Sequence, residues 1–458
     1  MKKIIFLIYI TLIATSVSWG AGTKDGAERS ALPVPPLLEG EKLKLVMQEG
    51  FLTLPMGTSK TMGFNGDYLG PTIRVSNGDL VDIEVQNTLK EDSTVHWHGL
   101  HVPAEFDGGP HQIVEAGSTW NPKFAIDQKA ATLWYHPHLL GKTAEHVYNG
   151  MAGLFYIEDD YSKSLPIPKE YGVDDFPLVI QDRRLDKNGQ FAYNPGGRDI
   201  MAGYTGNIIL VNGAYEPYLD LKKGTYRFRV INGSNSSIFR VRFSDERNFT
   251  VIASDGGFLP ESAKASELIM SPGERFEILV DFSEQGNISL MTDIYGGDSF
   301  KSLDFNILKE EGAYYSHPES FNYTPVVYDE SKNIKRNFRM ETRGMGGFTI
   351  NGKFMDMNRI DFTLNKNSTE IWTIENVGMG MMNIPHSFHV HDVQFSVISV
   401  NGQEPGPLYS GPKDTVLVMP GDKIKIALRF EDYTGIYMYH CHFLEHEDSG
   451  MMGQFLIE

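Results

Sequence analysis

The chain has 458 residues, 41 Lys plus Arg against 59 Asp plus Glu for a formal charge of −18, and one cysteine beside 14 histidines. That length is about three times the ~150 residues that serve as a prior for one domain. The acidic balance argues against a nucleic-acid partner and favours cationic or neutral small substrates, while a solitary cysteine excludes an intrachain disulfide framework.

In chain order, the first segment reads as a secretory signal. Lys2 and Lys3 give a positive n-region, residues 4–14 an apolar h-region, and the small residues of 18–21 a cleavage site, so residues 1–21 are expected to be lost on Sec-type export. The apolar run falls short of the ~20 residues of a spanning helix. No cysteine lies near the cleavage point and no twin-arginine pair precedes the run. A periplasmic or otherwise exported protein without stable membrane insertion is the expectation.

From there on, short β-type runs alternate with Gly, Pro, Asn and Asp turns, and no long stretch carries a helical apolar period. An all-β chain is predicted. The run VDIEVQN ending at Asn87 is echoed by RFRVIN ending at Asn232 and IWTIEN ending at Asn376, 145 and 144 residues apart. MSPGERFEI, from Met270, returns as MPGDKIKI, from Met419. GMAGLFYIE, from Gly150 to Glu158, matches GMMGQFLIE, from Gly450 to Glu458, at six of nine positions. So long a period means tandem domains rather than a solenoid. Three β-domains are expected at 38–160, 177–309 and 337–458, with linkers near 161–176 and 310–337.

Ten of the histidines fall into four short motifs: His96-Trp-His98, His136-Pro-His138, His386-Ser-Phe-His389-Val-His391, and His440-Cys-His442 followed by His446. The predicted middle domain has none. Residues i and i+2 of a strand face the same way, so each His-x-His presents two imidazoles together. Four such pairs from the first and third domains supply eight ligands for one cluster between them. A lone His-x-His is weak evidence, but four in matching places of two repeats is not. Cys441, in the same alternation, faces away from His440 and His442. Its partners are then the two unpaired histidines, His386 and His446, with Met451 as a weak axial thioether, the ligand set of a blue-copper electron-transfer site. Neutral imidazole suits copper. Zinc, the main rival, has no redox chemistry and needs only three or four ligands. An electron entering at Cys441 passes through the cysteine backbone to His440 and His442, and four copper ions would store the four electrons that dioxygen needs.

These motifs, HWHG from His96, WYHPH ending at His138, HSFHVH from His386 and HCHFLEH from His440 with Met451, resemble those of the multicopper oxidases, the group of laccases and bacterial periplasmic copper oxidases. The resemblance covers nearly the whole mature chain and implies three cupredoxin-like Greek-key β-sandwich or barrel domains. It implies a type 1 copper on His386, Cys441, His446 and Met451, and a type 2 copper on His96 and His389. The two type 3 coppers would take His98, His136 and His442, and His138, His391 and His440. The first domain, with Pro137 in the place of Cys441, then looks like a cupredoxin that has lost its own blue-copper site. Asp107 and Glu447 stand where the family has proton-delivering acids. Their bland alternatives are a turn aspartate beside two glycines and a solvated loop glutamate.

Dioxygen is the implied acceptor, and Cu(I) or small phenols and aromatic amines are the implied donors, with a role in copper tolerance and a monomeric chain. Met340, Met345, Met355, Met357, Met379, Met381 and Met382 gather in the third domain. Thioethers are soft ligands for Cu(I) and equally good fillers of irregular core gaps. The long methionine-rich insertion of some cuprous oxidases is missing. Two alternatives stand beside this reading: a laccase with an organic physiological donor, and a copper-free relative acting in cell division, against which the intact motifs speak. His101, His111, His146 and His317 have no sequence partner and are expected at the surface or behind the ligands.

Overall fold

A computed structural model describes residues 29–342, 347–378 and 384–458; the expected signal, 1–21, lies outside the described residues. Strands dominate, and the four α-helices among the described residues are short, of five or six residues. No helix among the described residues is long and apolar enough to cross a membrane.

The first domain packs two five-stranded sheets around a core that includes Leu45, Ile73, Val85, Trp97, Leu133 and Phe155. Its strand Leu80–Asn87 shows the cause plainly: Val81, Ile83 and Val85 point inward while Asp82, Glu84 and Gln86 alternate outward. The third domain repeats the arrangement with two five-stranded sheets around Trp372, Phe388, Ile426, Tyr437 and Phe455. Between them in sequence, the middle domain closes an eleven-stranded sheet over Phe228, Val251, Ile278 and Phe305. Its first and last strands in chain order, Asp175–Arg183 and Ser299–Glu311, and the first long strand of the third domain, Ile334–Thr342, reach slightly past the expected bounds. Asp175 is drawn into the sheet by pairing with Arg227 and by its buried ion pair with Arg229.

The repeated asparagines close one structural device. Each side-chain amide donates to carbonyls of the loop or strand that follows: Asn87 to Glu91 and Val114, Asn232 to Ser237 and Met270, Asn376 to Ile384 and Val418. The repeated glycines have an equally local reason. Gly153 pairs with Tyr135 and Gly453 with Tyr439 across adjacent strands, and a Cβ on either would run into the tyrosine ring.

The register that matters for function is the same in both outer domains. His96 lies opposite His136 on the first domain's inner sheet, and His389 lies opposite His440 on the third's. The middle domain locks the two together. Thr132 of the first domain accepts from Arg229 (3.0 Å) and donates to Glu277 (2.6 Å). Arg275, fully buried, makes a bidentate pair with Asp414 of the third domain (2.7 and 2.6 Å) and donates to the Thr132 carbonyl of the first (3.0 Å). Removing one partner of a buried pair leaves an uncompensated charge. Arg275→Met is therefore expected to lower stability by about 3–5 kcal/mol, read as a lower denaturant midpoint of the copper-free protein.

Candidate metal centre

The ten motif histidines and Cys441 are all buried, and they form two groups. In the larger one, potential ligand atoms of His138, His391 and His440 lie within 4.8 Å of one another, as do those of His98, His136 and His442, and those of His96, His98 and His389. Residues from the first and third domains thus share one cluster. The strand argument needs one correction: His138, His391 and His442 lie just beyond the ends of the strands that carry their partners. The paired rings still stand side by side, with centroids 5.8 Å apart for His96 and His98 and 5.6 Å for His440 and His442.

Backbone carbonyls set the ring orientations. A carbonyl can only accept, so the Nδ1–H of His96 donates to Asp107 O (2.9 Å), His136 to Pro137 O (2.8 Å), His389 to Asp414 O (2.8 Å) and His440 to Cys441 O (3.0 Å). Each leaves its Nε2 lone pair facing inward. His98 is turned the other way: its Nε2–H donates to Asp414 Oδ1 (3.0 Å), leaving Nδ1 3.3 Å from His136 Nε2.

A metal fits this set. The Nε2 atoms of His138 and His391 lie 3.1 and 3.2 Å from that of His440, an approach of lone pairs that a cation between them relieves. Nε2 of His96, His389 and His442 is buried without a hydrogen-bond partner. Burial and neighbouring imidazoles hold the pKa of His96, His98, His389, His391 and His442 well below the ordinary value, the neutral form that binds metal.

In the smaller group, Cys441 Sγ lies 3.6 Å from His386 Nδ1 and 3.7 Å from His446 Nδ1. Thr342 sits 3.3 Å behind His386 Nε2, and Phe348 stacks on the His446 ring at 3.8 Å. Met451 is fully buried in the same core and its carbonyl accepts from Cys441 N–H (3.0 Å). Burial pushes the Cys441 thiol up to about 12. A soft cation is what would make it a thiolate.

Neither candidate acid is a solvated loop residue. Asp107 accepts from His391 Nδ1 (2.7 Å), and its Oδ1 has no partner. Glu447 reaches His138 Nδ1 (3.4 Å) and His440 Nδ1 (3.2 Å). Burial raises the Asp107 pKa well above the usual carboxylate range. It opposes ionisation of Glu447 too, but there the imidazoles of His138 and His440 prevail and hold the pKa low. Among the methionines, Met340 is core and Met355 and Met357 are half-buried; Met345, Met379, Met381 and Met382 lie outside the described residues.

Sequence reasoning missed Asp414 and Arg275, which orient His98 from behind. The only signal for Arg275 was a basic residue inside the MSPGERFEI repeat. Of the histidines without a sequence partner, His146 is fully buried, whereas His101 is partly exposed and bonds Asp392 (2.7 Å), next to His391, and Asp432 (3.1 Å). His111 bonds Gln454, and His317 bonds the Pro318 carbonyl.

Family models described as multicopper oxidase match residues 47–162, 180–312 and 316–458. The chain belongs to the multicopper oxidase family, and it is an oxidoreductase of three cupredoxin-like domains. It is 41% identical to multicopper oxidase mco of Staphylococcus aureus over 86% of this chain and 83% of that one. It is 38% identical to the cell division protein FtsP of Sodalis glossinidius, over 93% and 92%. Among solved structures it resembles CueO of Ochrobactrum sp., a laccase-like multicopper oxidase with activity towards lignin model compounds and lignosulfonate, at 38% identity and TM-score 0.87, covering 93% of this chain and 100% of that one.

His101 generates a pH dependence away from the ligands. Burial alone would lower its pKa, but Asp392 and Asp432 outweigh it and raise the imidazole to about 9. A raised folded-state pKa contributes stability that is fully present below the unfolded value of about 6.5 and is lost as pH rises through the folded one. The stability advantage of the parent over His101→Gln should shrink between pH 6.5 and 9 and vanish above, as read from denaturant midpoints across that range.

Proposed function

We propose that the chain is an exported oxidase with four copper ions that couples one-electron oxidation of Cu(I), or of phenols and aromatic amines, to four-electron reduction of dioxygen to water, and that it serves copper tolerance. One observation supports this above the others. Within the three residues His440-Cys441-His442, the thiol faces one buried ligand group and the two imidazoles face the other. A covalent path of a few bonds therefore joins an electron-entry site to a multi-metal cluster.

The residues that would hold type 1 copper are His386, Cys441, His446 and Met451. His96 and His389 would hold type 2; His98, His136 and His442, and His138, His391 and His440, would hold the type 3 pair. Bound copper supplies one-electron exchange at Cys441 and dioxygen reduction at the cluster. The protein's share is orientation and protons. Carbonyl acceptors fix four of the imidazoles before metal arrives, and the carboxylates of Asp414 and Asp107 fix those of His98 and His391, as outer partners of metal-binding histidines do. Asp107 Oδ1, buried and unpartnered, can carry a proton beside His391 and His96. Glu447, held as a carboxylate between His138 and His440, can accept a proton in passing.

An organic donor is supported by the likeness to an oxidase of lignin model compounds. Cuprous oxidation is supported by the half-buried Met355 and Met357, whose segment joins the type 1 region through Met355 N–H to Gly450 O (2.9 Å). The likeness to a cell division protein favours a scaffold less than the complete ligand set favours an oxidase.

On copper-loaded protein, oxygen uptake with Cu(I) and with a substituted phenol should both be measurable, and Cys441→Ser should lose the blue absorption, about one copper per chain and turnover with either donor. Absence of Cu(I) turnover would leave the organic donor alone. Asp107→Asn and Glu447→Gln should each lower turnover by about 10²-fold or more with copper content and the blue band retained. Normal turnover in both would remove their proton role.

A further inference from the structure

The first domain reproduces the backbone hydrogen bonds of the turn that carries His446 and Met451 beside Cys441. Aligning His96 with His389 and His136 with His440, as the strand registers do, puts Ser93 at the place of His386 and Pro137 at that of Cys441. Past the second imidazole of each motif comes a short helix: Thr143–Tyr148 carries His146, and Leu444–Asp448 carries His446. The first domain takes four more residues to reach its helix, then the paths coincide. Met151 N–H donates to His146 O (3.1 Å) as Met451 N–H donates to His446 O (2.9 Å). Gly150 N–H donates to Val147 O as Gly450 N–H does to Glu447 O, and Ala152 N–H to Gly150 O as Met452 N–H to Gly450 O.

His146 and Met151 therefore occupy the positions of His446 and Met451, and all four are fully buried. Even the ring atom agrees. His146 turns Nδ1 inward, 3.0 Å from Ser93 Oγ, as His446 turns Nδ1 toward Cys441 Sγ at 3.7 Å. His146 Nε2 faces the Glu91 carboxylate at 3.6 Å, beyond hydrogen-bond distance. Ser93 Oγ, near the position of an imidazole, hydrogen-bonds the ring that would otherwise face a metal.

We infer that the first domain retains the frame of a second copper centre of the Cys441 kind, with an imidazole and a thioether in place and two ligands replaced by Ser93 and Pro137. The inference rests on the reading of His386, Cys441, His446 and Met451 as a type 1 site. Pro137 also lacks the N–H with which Cys441 bonds the Met451 carbonyl, so a cysteine there gains both a thiolate and the hydrogen bond of its counterpart. Its neighbours, His136 and His138, already belong to the cluster, as His440 and His442 beside Cys441 do.

The test is Ser93→His with Pro137→Cys, loaded with copper beside the parent. The double variant should bind one further copper per chain, and its blue thiolate-to-copper band should roughly double. Adding His146→Leu should remove both gains. Should the double variant not fold, Pro137→Cys alone decides: with His146 and Met151 it should still take up an additional copper, with a new thiolate-to-copper band that His146→Leu abolishes. A blue parent beside a folded variant of unchanged copper content and absorption overturns the inference. A parent without the band would instead remove the reading of Cys441.

Discussion

The bidentate pair between Arg275 and Asp414 is the constraint on which the metal centre depends. It joins the middle domain to the third, while the same guanidinium bonds a backbone carbonyl of the first. Asp414 then spends its remaining capacity on the cluster: its carboxylate accepts from His98 Nε2 and its carbonyl from His389 Nδ1. An ion pair buried this completely adds little net stability over an apolar packing of the same volume. Its worth here lies in specificity. One contact fixes both the relative placement of three domains and the orientation of one imidazole from each outer domain, which explains why a middle domain without a single histidine is indispensable to a histidine cluster.

The same economy appears in the ring tautomers. Imidazoles crowded in a dry interior repel one another and resist protonation, so each must present a lone pair inward and hide its N–H. Four hide it on backbone carbonyls, which cannot rotate away, and His98 hides it on a carboxylate that Arg275 holds. Two of the carbonyls, those of Pro137 and Cys441, belong to the residue next to the ring they orient. In those two motifs the His-x-His spacing positions two ligands and also supplies, from the intervening residue, the acceptor that aims the first of them.

Much of this was legible in the sequence because it is periodic. The asparagines at 87, 232 and 376, the glycines opposite Tyr135 and Tyr439, and the paired histidines recur in matching places of the repeated domains, and a repeat marks a physical requirement met more than once. Arg275 and Asp414 were not legible, since each acts a single time, across an interface that no local pattern announces. The extended strands at Asp175 and Ile334 escaped for a related reason: their pairing partners lie far along the chain. His146 was overlooked because the four-residue insertion before its helix breaks the spacing by which His446 is recognised, although the hydrogen bonds that place it are unchanged.

That divergence between the outer domains bears on how the protein directs electrons. Two equivalent entry points on opposite sides of one cluster would admit electrons from two surfaces, each with its own donor access. With a proline between His136 and His138 there is no thiolate on one side, and Ser93 satisfies the imidazole that remains. On the proposed reading of Cys441 as the entry site, the cluster would be fed only through that residue, and donor choice would be set on the His386 and His446 side alone. On the same reading, Ser93 and Pro137 are what leave the first domain only holding cluster ligands while the third also receives electrons.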